Sequence, residues 1–129
     1  MENNNQENIK TEFETDIKLS PNIVVDDWLC RICLQKITSD KLRYLYEGKS
    51  EFSFINPAGH QFEILTFANT IGCNIVGEST GEFTWFPNYN WQICLCNKCN
   101  AQLGWYYLGS DNFWGLIKSQ LVKAMTIMN

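Results

Sequence analysis

Four of the six cysteines fall in two C-x-x-C pairs, Cys30 and Cys33 in "CRIC" and Cys96 and Cys99 in "CNKC". That spacing constrains the fold more than any other feature. A C-x-x-C turn sets two thiolates on one side of a tight knuckle, and two such turns complete the tetrahedron that Zn²⁺ prefers. The knuckles lie far apart in sequence, so a metal held by all four would clamp the two ends of a domain together. Four protein ligands leave no open position, which makes such a zinc structural rather than catalytic. The competing readings are disulfides or redox pairs, but neither knuckle sits in the strand–helix setting of a thioredoxin-type motif. Cys94 precedes Cys96 by two residues, and strand alternation would point both the same way, so it could compete as a ligand. The plainer expectation is that Cys73 and Cys94 are small buried hydrophobes.

At 129 residues the length predicts one domain. The opening "MENNNQENIKTEFETD" is polar and Asn/Glu-rich, which predicts a disordered leader over residues 1–23 and a packed domain over 24–129. A formal net charge of −4 argues against a nucleic-acid binder, which needs a basic face to neutralise phosphates. No apolar run is long enough for a membrane span, and the N-terminus lacks the pattern of a signal peptide. The expected location is therefore cytoplasmic or nuclear, with neither nucleic acid nor membrane as partner.

Hydropathy patterning predicts a mostly β fold. "EFSFIN", the turn "PAGH" and the alternating "QFEILTF" read as a hairpin. "CNIVG" reads as a short strand ended by Gly77, "ESTGEF" as a break, and "QLGWYYLG" as a further strand. Many short strands with Gly/Pro punctuation predict an antiparallel domain. The tail "FWGLIKSQLVKAMTIM" fits two templates, a helical stripe through Phe113, Trp114, Ile117, Leu121 and Met125, or a strand over "FWGLI".

Aromatic residues make up 14% of the chain, and "FTWFPNYNWQICLCNKCNAQLGWYY" concentrates them around the second knuckle. Ordinary core packing would account for many of them. However, "WFPNYNW" is loop-like, interrupted by Pro87, Asn88 and Asn90. Aromatics on loops beside a metal clamp can form a rigid cage, suited to a cation or to a small flat neutral ring. Trp85, Trp91, Trp105 and Tyr107 are the candidates.

The order C-x-x-C, "FINPAGH", "GEFTWFPNYNW", C-x-x-C, "QLGWYY" and "FWGL" resembles the thalidomide-binding domain family of cereblon, also called the CULT domain, over residues from about Cys30 to about Lys123. The resemblance implies two antiparallel sheets meeting at an angle (a β-tent) pinned by one structural Zn²⁺ on Cys30, Cys33, Cys96 and Cys99. It implies a cage of Trp85, Trp91 and Trp105 with Tyr107 at its floor, bordered by Asn56 and Pro57. The implied ligands are cyclic imides such as glutarimide and thalidomide-type compounds, and protein C-termini cyclised to an imide. Their polar edge would meet the backbone of Phe83 and Trp85. The sequence departs from the family pattern at Phe83 and Thr84, where His and Ser are common. It also departs at Ala58 (often His), at Asn88 (usually Gly) and at Tyr107 (commonly Phe). His60 is expected to be an exposed turn residue.

The resemblance implies a binding module rather than an enzyme. In the family this module is the substrate-recognition part of a ubiquitin ligase receptor, which reaches the ligase adaptor through a Lon-like domain and a helical segment. The residues before Cys30 are too few and too polar to supply these, so the chain is expected to be an excised domain or a stand-alone relative. The alternatives are a reader of methylated or quaternary ammonium ligands, with Glu82 favouring a cation, and a methionine sulfoxide reductase B-like enzyme using Cys73 or Cys94. His60 is the only histidine available to support such chemistry.

Overall fold

In the computed structural model, Leu19 and residues 22–128 are described. The expected leader, apart from residues 19, 22 and 23, lies outside them. Nine strands form two sheets among the described residues. β1 (Asp27–Cys30), β2 (Lys36–Ser39) and β9 (Leu121–Lys123) make a three-stranded sheet in the order β2-β1-β9. β3 (Glu51–Ile55), β4 (Gln61–Phe67), β5 (Cys73–Thr80), β6 (Asn90–Cys96), β7 (Gln102–Leu108) and β8 (Asn112–Ile117) make a six-stranded sheet in the order β3-β4-β8-β7-β6-β5. Every pairing is antiparallel. No helix among the described residues is long and apolar enough to cross a membrane.

The β3–β4 hairpin forms where the pattern predicts it, with Ile55 opposite Gln61. Its turn is organised by Asn56, whose Oδ1 accepts from the backbone N–H of Ala58 (3.1 Å) and of His60 (2.8 Å). Gly59 takes φ +90°, a conformation that costs glycine nothing, and His60 is exposed.

Two expectations are revised. β5 does not end at Gly77 but runs on to Thr80, crossing a register irregularity between Val76 and Thr80 where Gly77 takes φ +79°. A bulge of this kind bends an edge strand without ending it, and β5 is an edge. The tail, open between helix and strand, is strand: "NFWGLI" is β8, between β4 and β7, and "LVK" is β9. A strand paired on both edges and covered on both faces needs apolar residues at successive positions, which periodicity alone reads equally well as a helix. Where β7 passes β8, Gly104 takes φ +153° and any Cβ there would overlap the Gly115 carbonyl oxygen.

One cluster of buried residues joins the two sheets: Cys30, Ile37 and Leu121 from the smaller, with Leu65, Phe67, Cys94, Cys96, Leu103 and Leu116 from the larger. A second is aromatic, built on Phe86, Tyr89, Tyr107 and Phe113. A third joins Ile23, Leu29 and Ala124, with Leu19 against it, so packing reaches N-terminal of residue 24.

Asp40 ties the smaller sheet together. Its carboxylate accepts from the Trp28 indole (2.7 Å) and from Arg43 (3.0 Å), and pairs with Lys123 (2.6 Å). Burial alone would push its pKa up, but the three donors outweigh it and hold the group below its ordinary value. Asp40→Ala is expected to cost about 1.5–3 kcal/mol at neutral pH, the range for hydrogen bonds to a charged group. A depressed folded pKa gives stability that is present above the unfolded value of about 4 and is lost as pH falls through the folded value. The gap between wild type and variant should therefore shrink on acidification below about pH 4, as denaturant melts at pH 7 and pH 3 would show.

Candidate ligand cavity and metal site

The two knuckles are the same local structure built twice. In the first, the Cys30 N–H donates to Gln35 O and the Leu34 N–H to Cys30 O. In the second, the Cys96 N–H donates to Ala101 O and the Asn100 N–H to Cys96 O. Leu34 (φ +64°) and Asn100 (φ +66°), each four residues after the first cysteine, take the left-handed conformation that closes the turn. The likeness of "CRICL" to "CNKCN" is thus structural despite differing side chains.

All four sulfurs lie within 4.8 Å of one another. Cys30 Sγ is 3.6 Å from Cys99 Sγ, and Cys33 Sγ is 3.6 Å from Cys96 Sγ. A regular tetrahedron with Zn–S of about 2.3 Å has S···S edges of about 3.8 Å. The donor set therefore fits a metal ion that takes four thiolates. Burial, with the neighbouring sulfurs adding to it, pushes the Cys30 thiol up and the Cys33 thiol up to about 12, while a backbone hydrogen bond from Ala101 holds Cys99 down; a bound cation would favour the thiolate form of all four. Cys94 is fully buried and is not one of the four. Cys73 faces Cys96 across the β5–β6 ladder, and both leftover cysteines pack with the inter-sheet cluster.

A cavity of about 170 Å³ opens at the aromatic cluster, lined by Asn56, Pro57, Phe62, Phe83, Trp85, Trp91, Trp105 and Tyr107. It gathers every residue singled out for ligand binding and adds Phe62, which sequence reasoning missed. The signal for Phe62 was its place at the start of β4, directly opposite Phe54 and beside the Asn56 turn. Cys73, Cys94 and His60 are not among the lining residues.

Strand register explains the walls. Trp91 lies opposite Tyr107 and Ile93 opposite Trp105, so alternation puts Trp91, Trp105 and Tyr107 on one face of the sheet. Tyr107 is buried, and Gly115 leaves room for its ring: a Cβ there would sit 2.9 Å from the Tyr107 ring edge. Burial pushes the Tyr107 phenol well above its ordinary range, so it is a neutral hydroxyl. Trp85 comes from the loop over residues 81–89. Its indole stacks on Phe54 (5.0 Å, 10°), meets Trp105 edge to face (5.1 Å, 81°) and donates to Ile55 O at 3.3 Å.

The loop is pinned at several points. The Trp91 indole N–H donates to Glu82 O at 2.8 Å, and Thr84 Oγ1 donates to Phe86 O. Phe86 is buried against Tyr46, Phe54, Tyr107 and Phe113. Asn88 takes φ +72°, which asparagine tolerates better than most residues. Beyond it, the Tyr89 and Tyr44 phenols both donate to the carboxylate of Asp111 in the β7–β8 turn. Those two hydrogen bonds hold the Asp111 carboxyl below its ordinary value. By contrast, no hydrogen bond among the described residues engages the backbone of Phe83 or the backbone N–H of Trp85. The cavity thus offers apolar walls, neutral lining side chains and uncommitted backbone groups at one side.

No model of a known protein family matches the chain. Among curated proteins, the chain is 33% identical over 79 residues to protein cereblon of Danio rerio, a match covering 57% of this chain and 18% of that protein. Protein cereblon of Gallus gallus matches at 33% over 79 residues, again 57% and 18%. Protein cereblon of Drosophila simulans matches at 31% over 119 residues, 83% of this chain and 20% of that protein. The chain spans about a fifth of the length of the curated relatives it matches.

Proposed function

Starting from a domain of cereblon type, we propose that the cavity is a receptor for small neutral cyclic imides. Its ligands are glutarimide-like rings, including thalidomide-type compounds, and protein C-termini that have cyclised to an imide. The observation that carries the reading is the pairing of three indole walls with backbone groups at Phe83 and Trp85 that no partner among the described residues uses. A cyclic imide has an apolar CH₂ face for the indoles and an N–H and carbonyl edge for the backbone. The volume supports a small ring, since cavities for drug-sized ligands run to about 300–1,000 Å³. The lining has no carboxylate, which a cage built for a quaternary ammonium group would use to advantage.

In this reading residues 24–129 are the binding unit, the metal on Cys30, Cys33, Cys96 and Cys99 is one structural zinc, and no residue acts as a catalyst. Presentation of a captured protein to a ubiquitin ligase would need segments outside this unit. The test is a titration with plain glutarimide followed by tryptophan fluorescence, with a trimethyl-lysine peptide as control. Saturable quenching by the imide alone is the expected result. A response to the cation and not to the imide would overturn the proposal.

A further inference from the structure

We propose that the Phe83 side chain selects among ring ligands by what is attached to the ring, favouring an apolar or aromatic residue before a cyclised C-terminus and disfavouring an acidic one. This rests on the reading that the cavity holds the ring.

Phe83 is at once a cavity-lining residue and the most exposed large apolar residue of the described chain, at 68%. It takes no part in the ring–ring contacts that knit Trp85, Phe86 and Trp105 into the aromatic cluster. Nothing in the packing of the fold requires a phenyl group there. Its backbone is also strained: φ is +57°, a region where a bulky non-glycine residue is an outlier and where strain gathers at ligand clamps. Glycine, or asparagine as at Asn88, would hold the same turn more easily. A side chain of no use to the core therefore sits at the mouth of the cavity in a conformation that disfavours it.

The cavity holds one small ring, so whatever is attached to that ring must leave through the mouth, past Phe83. A flat apolar substituent would bury the exposed phenyl face. The residue before Phe83 is Glu82, exposed and without a salt-bridge partner among the described residues. Glu82 is next to Phe83 in the chain though not among the lining residues, and no cation lines the cavity, so an acidic substituent passing Phe83 gains no counter-charge there.

The experiment compares two short peptides that end in the same C-terminal cyclic imide, one with Phe and one with Asp before it, alongside plain glutarimide. Each is titrated into wild type, Phe83→Ala and Phe83→Lys, and the read-out is the ratio of the two peptide affinities, which a uniform weakening of the cavity leaves unchanged. Wild type should prefer the Phe peptide by about 3- to 10-fold, the range of a well-placed aromatic contact. The ratio should fall toward one in Phe83→Ala and reverse in Phe83→Lys. A wild-type ratio near one, or a ratio that neither substitution moves, would overturn this inference while leaving the imide receptor standing. Silence of wild type toward plain glutarimide as well would overturn both.

Discussion

Cys96→Ser is expected to leave no cooperatively folded domain at 25 °C, the largest single-residue effect on stability anticipated for this chain. Cys96 is fully buried, its sulfur lies 3.6 Å from that of Cys33, and its knuckle ends β6, one of the strands that carries a cavity wall. The apparent binding free energy of a structural zinc in small zinc domains is about 10–16 kcal/mol. The whole stability of an ordinary domain is about 5–15 kcal/mol. Loss of a metal held by the four thiols would remove a contribution comparable to the total, and of the three remaining thiols Cys30 is fully buried. Elemental analysis of the wild type should return one zinc per chain, and a strong chelator should reproduce the effect of the substitution in far-UV circular dichroism. A cooperative melt within a few degrees of wild type, for either the variant or the chelated protein, would show that the four cysteines serve only as packing.

Trp91→Ala is expected to weaken glutarimide binding by at least about 30-fold, the scale of a binding hot spot worth about 2 kcal/mol or more. The substitution does two things at once. It deletes a wall of the cavity, and it removes the indole N–H that holds Glu82 O at 2.8 Å and so fixes the loop bearing Phe83 and Trp85. Trp91→Phe should fall between the two, keeping a ring and losing the pin. Trp114→Phe is the control. Trp114 packs on Tyr106, is not among the cavity's lining residues, and its buried indole nitrogen has no hydrogen-bond partner among the described residues. Replacing it leaves no donor unsatisfied, so binding should be unchanged and stability equal or slightly higher. Calorimetric titration of the three variants separates these outcomes. An affinity for Trp91→Ala within threefold of wild type would rule out a ligand enclosed by the indoles.

Parts of this molecule are legible locally. The C-x-x-C spacing dictates a knuckle whatever lies between the cysteines, because two thiols three residues apart fit one turn. The Pro-Gly turn and the alternation beside it dictate the β3–β4 hairpin, because side-chain period and turn conformation are properties of adjacent residues. The tail was not legible in the same way. Phe113, Ile117 and Leu121 satisfy a helical period, and only pairing with β7 just before it and with β4, distant in sequence, makes that stretch a central strand. Gly77 reads as a stop for the same reason: a glycine at an edge bulge and a glycine ending a strand look identical until the partner strand is present.

The cavity divides along the same line. Residue type and spacing named Trp85, Trp91, Trp105 and Tyr107 as candidates but left them open between core and cage, and it was the likeness to a known domain that favoured the cage. Their assembly depends on the β6–β7 register, which sets Trp91 against Tyr107, and on Gly115, which admits the Tyr107 ring. The left-handed backbone of Phe83 carries no local signature. By itself, then, the sequence determined two thiol knuckles, a mostly β chain and an excess of aromatics near the second knuckle, all set by interactions within a few residues. Which aromatics became walls, and which backbone groups were left without a partner, was decided by strand order and register. Strand order and register depend on the summed pairing and burial of segments as far apart as Trp28 and Lys123, a sum that no window of the sequence contains.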